Sequence, residues 1–113
     1  MNSCDATVTL KPIAAVKTTW ENALEMAKDT LAHEKKVTAM IHNLAVIAHE
    51  DKDYASQNML KWFIDEQVEE EENARDMIAA FEAVEENKYG TYMLDKELAA
   101  RVYNVPSPLA AKA

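Results

Sequence analysis

Glu34, Gln67 and Glu70 stand where apolar side chains belong. Leu24, Ala27, Leu31, Glu34, Thr38, Ile41, Ala45 and Ala48 follow the alternating three-four spacing of a buried helix face. Leu60, Phe63, Gln67, Glu70, Ala74, Met77, Phe81 and Val84 repeat that spacing further on. A carboxylate buried without a partner is costly. Two carboxylates and an amide aimed into one core are best explained by a cation held between them. Oxygen-only donor sets suit hard cations and iron.

The acidic run Asp65–Glu72, broken only by Gln67 and Val68, sharpens this reading. A run of like charge is ordinarily a solvated face. However, Glu69 to Glu72 sweep around a whole turn at about 100° per residue, so not all of them can face water in a bundle. Gln67 and Glu70 share one face at i, i+3. Glu66 and Glu69 form a second such pair, rotated from the first; it either holds a further cation or lines an acidic interior surface. His33 points away from the neighbouring Glu34, and His42 and His49 have no acidic partner at ligand spacing, so all three read as surface or packing residues. Trp62 reads as core packing, and the six methionines as gap fillers.

The elements that must position these groups are helical. The chain has 113 residues, 49% hydrophobic, with a single glycine, which suits one helical domain or part of one. Residues 1–17 read as an extended lead-in, since Thr7-Val8-Thr9-Leu10 is β-branched and apolar and Pro12 discourages helix. Such a segment crosses a surface made by something else. A long helix is expected over 18–50, opened by a Thr18/Glu21 capping box, and a second over 54–87, capped by Asp53 and closed at Gly90. A short helix follows over 92–102, then a frayed tail over 103–113 marked by Pro106 and Pro108. With only Asp51-Lys52-Asp53 between them, the two long helices must lie antiparallel. Equal distances from a turn centred near residue 52 then put Glu34 and Glu70 opposite each other at one level. Facing carboxylates repel unless a proton or a cation lies between them.

A stable bundle needs about four such rods, and this chain offers two plus a short one. A net charge of −8 disfavours nucleic acid and anionic membranes as partners and favours cations. No apolar run approaches the roughly 20 residues of a membrane span, and no secretory signal is visible. The lone Cys4 makes no internal disulfide and reads as an incidental thiol, so a cytoplasmic location is expected.

His33-Glu34-Lys35-Lys36-Val37-Thr38, Asn43-Leu44, Asp53-Tyr54-Ala55, Trp62-Phe63 and Asp65-Glu66-Gln67-Val68-Glu69-Glu70-Glu71 together resemble the carboxyl-terminal half of prokaryotic non-haem ferritins. Met93-Leu94-Asp95-Lys96-Glu97-Leu98 resembles their short final helix, and Thr7–Ile13 the end of their long crossover. The resemblance covers essentially the whole chain. It implies an all-α, ferritin-like four-helix bundle, of which this chain supplies two long antiparallel helices and a short terminal one. It also implies assembly into a 24-subunit shell, oxidation of Fe(II) at a dinuclear ferroxidase centre, and storage of ferric iron. By position, Glu34 matches the ligand shared by both irons, Gln67 the amide that orients ligands or oxidant, and Glu70 a ligand of the second iron; these three would be the catalytic set. Glu66 and Glu69 match a third iron site.

The family's first two helices should bring a Glu, a Glu-x-x-His motif and a tyrosine, and these are not in the sequence given. Segments outside it would complete the ferroxidase, or a second copy would pair with this one as a half-bundle dimer. The alternative to storage with turnover is therefore a helical hairpin that dimerises and binds divalent metal without turnover.

Overall fold

Asn22, not Thr18, starts the first long helix in the computed structural model, which describes residues 5–102. This helix, α1, runs Ala23–Glu50. Asn22 Oδ1 accepts from the Glu25 N–H at 2.8 Å, and Glu25 Oε2 accepts from the Glu21 N–H at 2.9 Å. The pair resembles a capping box moved along the chain, except that Glu25 reaches the N–H of Glu21, one residue before the N-cap. The cause lies upstream. Trp20 Nε1 and Lys17 Nζ both donate to Asp29 Oδ2, each at 2.7 Å. Reaching Asp29 requires residues 17–20 to fold back along α1, whereas a continued helix would carry Trp20 away from it. The Lys17 ammonium and then the indole N–H hold the Asp29 carboxyl below its ordinary range.

The break between the long helices is a Schellman motif. The Lys52 N–H bonds to His49 O at 3.1 Å and the Asp53 N–H to Ala48 O at 2.8 Å. Lys52 sits at φ 56°, in the left-handed region that favours glycine. Lys52→Gly is accordingly expected to stabilise the chain by about 0.5–1 kcal/mol, read as a higher midpoint in urea with an unchanged slope. Asp53 then caps α2 (Tyr54–Ala83), its Oδ1 accepting from the Ser56 N–H at 3.1 Å.

The second long helix stops at Ala83, before Asn87, and the short helix α3 covers Lys88–Ala99 where 92–102 was expected. Asn87 is the reason. Its Oδ1 accepts from the Gly90 N–H at 3.0 Å, which makes it an N-cap and not a helix end. Gly90 lies inside α3 and serves close approach: a Cβ there would stand 2.9 Å from a Val84 methyl. Cys4 and the 103–113 tail with Pro106 and Pro108 lie outside the described residues.

Among those residues every regular element is a helix. Cross-helix bonds pair Ala48 with Gln57, Thr38 with Gln67 and Glu71, and Glu34 with Gln67, the reversed order of an antiparallel hairpin. Its buried seam is Ala27 and Ala48 on α1 against Leu60, Gln67, Ala74 and Phe81 on α2. Small alanines let the rods approach closely. The two rods carry more apolar surface than this seam covers: Met40, Leu44, Val46, Met59, Phe63 and Val68 are exposed, as are Leu10 and Ile13 of the lead-in. No described helix is long and apolar enough to cross a membrane.

Candidate metal centre

Polarity enters the seam at one level. Gln67, only 8% exposed, is its one buried polar residue among those described. Glu34 and Thr38 approach it from α1, and Glu71 lies one turn along α2. Gln67 Nε2 donates toward Glu34 Oε2, the Glu34 carbonyl and Thr38 Oγ1, each at 3.1 Å. Thr38 Oγ1 lies 2.8 Å from Glu71 Oε2 and 3.0 Å from Glu34 O. Arg75 Nη2 donates to Glu71 Oε1 at 3.1 Å.

The expected face-to-face pair of Glu34 and Glu70 does not form within the hairpin. Glu34 is half-buried and bonded to Gln67, while Glu70 is exposed. The cause is the rotation of α2. Seating Leu60, Gln67, Ala74 and Phe81 in the seam leaves Glu70 and Glu71, about 100° apart, on opposite flanks of Gln67. Glu71 turns toward α1, and Glu70 goes to the uncovered face that also carries Phe63. Sequence reasoning missed Glu71. Its spacing of four from Gln67 and the hydroxyl of Thr38 on the facing stripe were the available signals.

On the outer flank, Glu66 is half-buried and Glu69 exposed. Desolvation, then repulsion from Glu69, Glu70 and Asp65, pushes the Glu66 carboxyl above its ordinary range. Proton or cation uptake there would relieve the repulsion. His33, His42 and His49 are exposed. Trp62 is half-buried and meets Phe63 edge-on, ring centroids 5.0 Å apart.

Among the described residues no three His, Cys, Asp or Glu side chains converge closely enough to hold a metal ion. What the hairpin does contain is a set of oxygen donors on two rods. Glu34 has one carboxylate oxygen engaged by Gln67. All the hydrogen bonds found for the Gln67 amide are donated by Nε2, and among the described residues no buried side-chain oxygen lacks a partner, so Oε1 reaches accessible surface. Glu70 and Glu66 flank it. Carboxylate and amide oxygens suit Fe(II), Fe(III) and other hard or borderline cations.

A family model described as a ferritin-like domain matches residues 1–84. The chain is 44% identical over 94 residues to the bacterial non-heme ferritin of Staphylococcus haemolyticus strain JCSC1435, an alignment that covers 83% of this chain and 57% of that protein. It is 36% identical over 104 residues to the bacterial non-heme ferritin of Staphylococcus aureus strain USA300, covering 92% and 63%. Among solved structures, an open pore ferritin from the hyperthermophilic archaeon Archaeoglobus fulgidus superposes with a TM-score of 0.86 at 34% identity, over 89% of this chain and 62% of that one. A humanized archaeal ferritin gives 0.87 at 34% identity, over 91% and 63%. The chain thus spans about three fifths of the length of these relatives.

Proposed function

The chain belongs to the ferritin-like family, and from that premise we propose that it serves iron storage and detoxification: Fe(II) is oxidised at a dinuclear carboxylate site and kept as ferric iron within a protein shell in the cytoplasm. The observation that carries this reading is the Glu34–Gln67 pair, a carboxylate and an amide bonded across the one polar level of an otherwise apolar seam. Iron is the substrate and cargo. Glu34 supplies a bridging carboxylate, Gln67 a neutral oxygen and Glu70 a second carboxylate, while Glu66 and Glu69 take a third iron. Negative oxygen donors favour Fe(III) over Fe(II), so the same ligands that bind the reduced ion help to drive its oxidation. Each of two Fe(II) ions gives one electron to dioxygen or peroxide.

Glu70 performs this role only when its face is covered. Exposed Met40, Leu44 and Phe63 on that side of the hairpin support such a cover, as do Leu10 and Ile13, left 90% and 91% exposed by the lead-in. Other helices, from a longer chain or from further copies in a homo-oligomer, would bring the remaining ligands.

Aerobic addition of Fe(II) tests the proposal. The protein is expected to speed the appearance of ferric absorbance over buffer alone and to keep the product soluble. A higher melting temperature with Fe(II) but no faster oxidation would instead favour a metal-binding hairpin without turnover. Neither effect would overturn both readings.

A further inference from the structure

Gln67 has only two amide hydrogens, yet three acceptors surround Nε2 at 3.1 Å. Two of these, the Glu34 carbonyl and the Glu34 carboxylate, cannot donate. The side chain therefore has one sensible orientation, nitrogen inward and oxygen outward. What keeps the Glu34 carbonyl available is less obvious. A threonine inside a helix ordinarily donates to the carbonyl four residues back. For Thr38 that carbonyl is Glu34 O, at 3.0 Å, and the bond would compete with Gln67 for it. Here Glu71 Oε2 stands closer to the hydroxyl, at 2.8 Å, and carboxylates attract donors more strongly than carbonyls do. One hydroxyl has one proton. Drawn toward Glu71, it leaves the Glu34 carbonyl and a Thr38 lone pair free to receive the amide. Arg75, bonded to the other oxygen of Glu71, holds that carboxylate in place.

We infer that Thr38 and Glu71 are positioning residues, which fix the Gln67 amide with its nitrogen sealed in the seam and its oxygen presented to the metal side. The inference rests on the iron-site reading above for what the oxygen meets, but not for the orientation itself. Neither residue is among the proposed iron ligands. The seam chooses the amide's handedness before any ion arrives, so Gln67 offers a ready neutral donor beside Glu34. Changing a group that orients a ligand in this way typically costs about 10–100-fold in metal affinity.

The test uses the full chain in two states. Without metal, the side-chain amide proton signals of Gln67, identified by their loss in Gln67→Glu, should be well separated and slow to exchange. Thr38→Val keeps the shape and removes the hydroxyl. It should collapse that separation, and Co(II) affinity, read from the visible spectrum of the ion, should fall about tenfold. Thr38→Ser should restore both. Glu71→Leu should weaken both in the same direction by a smaller factor, and it stands in for Thr38→Val should that variant fold poorly. Unchanged amide signals in Thr38→Val and Glu71→Leu would overturn the inference, as would a loosened amide with unaltered Co(II) affinity. A wild-type amide that is ordered and released by Thr38→Val, in a chain with no Glu34-dependent Co(II) binding, would uphold the positioning and overturn the iron-site reading.

Discussion

Glu34→Ala is expected to slow aerobic Fe(II) oxidation by about a hundredfold or more, since changing even a group behind a metal ligand costs about 10–100-fold. The stabilisation that Fe(II) confers on the folded chain should vanish with it. For a ligand at about a hundred times its Kd that stabilisation is about 2.7 kcal/mol, large enough to read as a melting shift. Two features separate loss of the site from loss of the fold. Glu34 is only half-buried and lies at the edge of the seam, so a methyl group in its place opens no sealed cavity. Gln67 also retains two acceptors after the change, the Glu34 backbone carbonyl and Thr38 Oγ1, so its amide nitrogen is not stranded. Metal-free stability should therefore stay close to wild type. Glu72→Ala supplies the control: Glu72 shares the acidic run and the net charge effect but is exposed. An oxidation rate that falls equally in both variants would mean that diffuse negative charge, not a built site, gathers the iron.

Glu34, Gln67 and the antiparallel hairpin were legible because they rest on periodicity and on one short turn. A charged residue that breaks an apolar stripe is visible in one dimension. The rotation of α2 about its own axis was not. The single stripe read from its sequence has two edges, one through Phe63 and Glu70 and one through Leu60, Gln67, Ala74 and Phe81, and one partner helix covers only one of them. Only the partner helix decides between them. The alanines Ala27 and Ala48 pull α2 onto the second, which sends Glu70 outward and brings Glu71 in. A helix of a four-rod bundle faces two neighbours, and both edges then have work to do. Helix ends failed for a different reason. Thr18 and Gly90 carry sound local signals, but Asn22 and Asn87 cap more strongly, and the grip of Trp20 and Lys17 on Asp29 is a tertiary contact that no local signal encodes.

Phe81→Ala should destabilise the folded chain by about 3–5 kcal/mol, the cost typical of an aromatic ring removed from a core. The ring is 7% exposed and lines a groove shared with Met26 of α1, Met77 of α2 and Tyr92 of α3, where the three helices converge. Little else in the hairpin can compensate. Among the described residues its core consists otherwise of three alanines, Leu60 and Gln67, and no large side chain is fully buried. Small domains are stable by only about 5–15 kcal/mol in total, so this loss should show as a broad, low thermal transition by circular dichroism. Val68→Ala is the informative companion. Val68 is 66% exposed in this chain, and on a bare hairpin its truncation should cost less than about 0.5 kcal/mol. If further rods cover that face in the working assembly, the same change removes buried methyl groups and costs about 1 kcal/mol or more. Measured side by side, the two variants separate what the hairpin supplies for itself from what it takes from its neighbours. A neutral Phe81→Ala would mean that the seam is not where the stability resides.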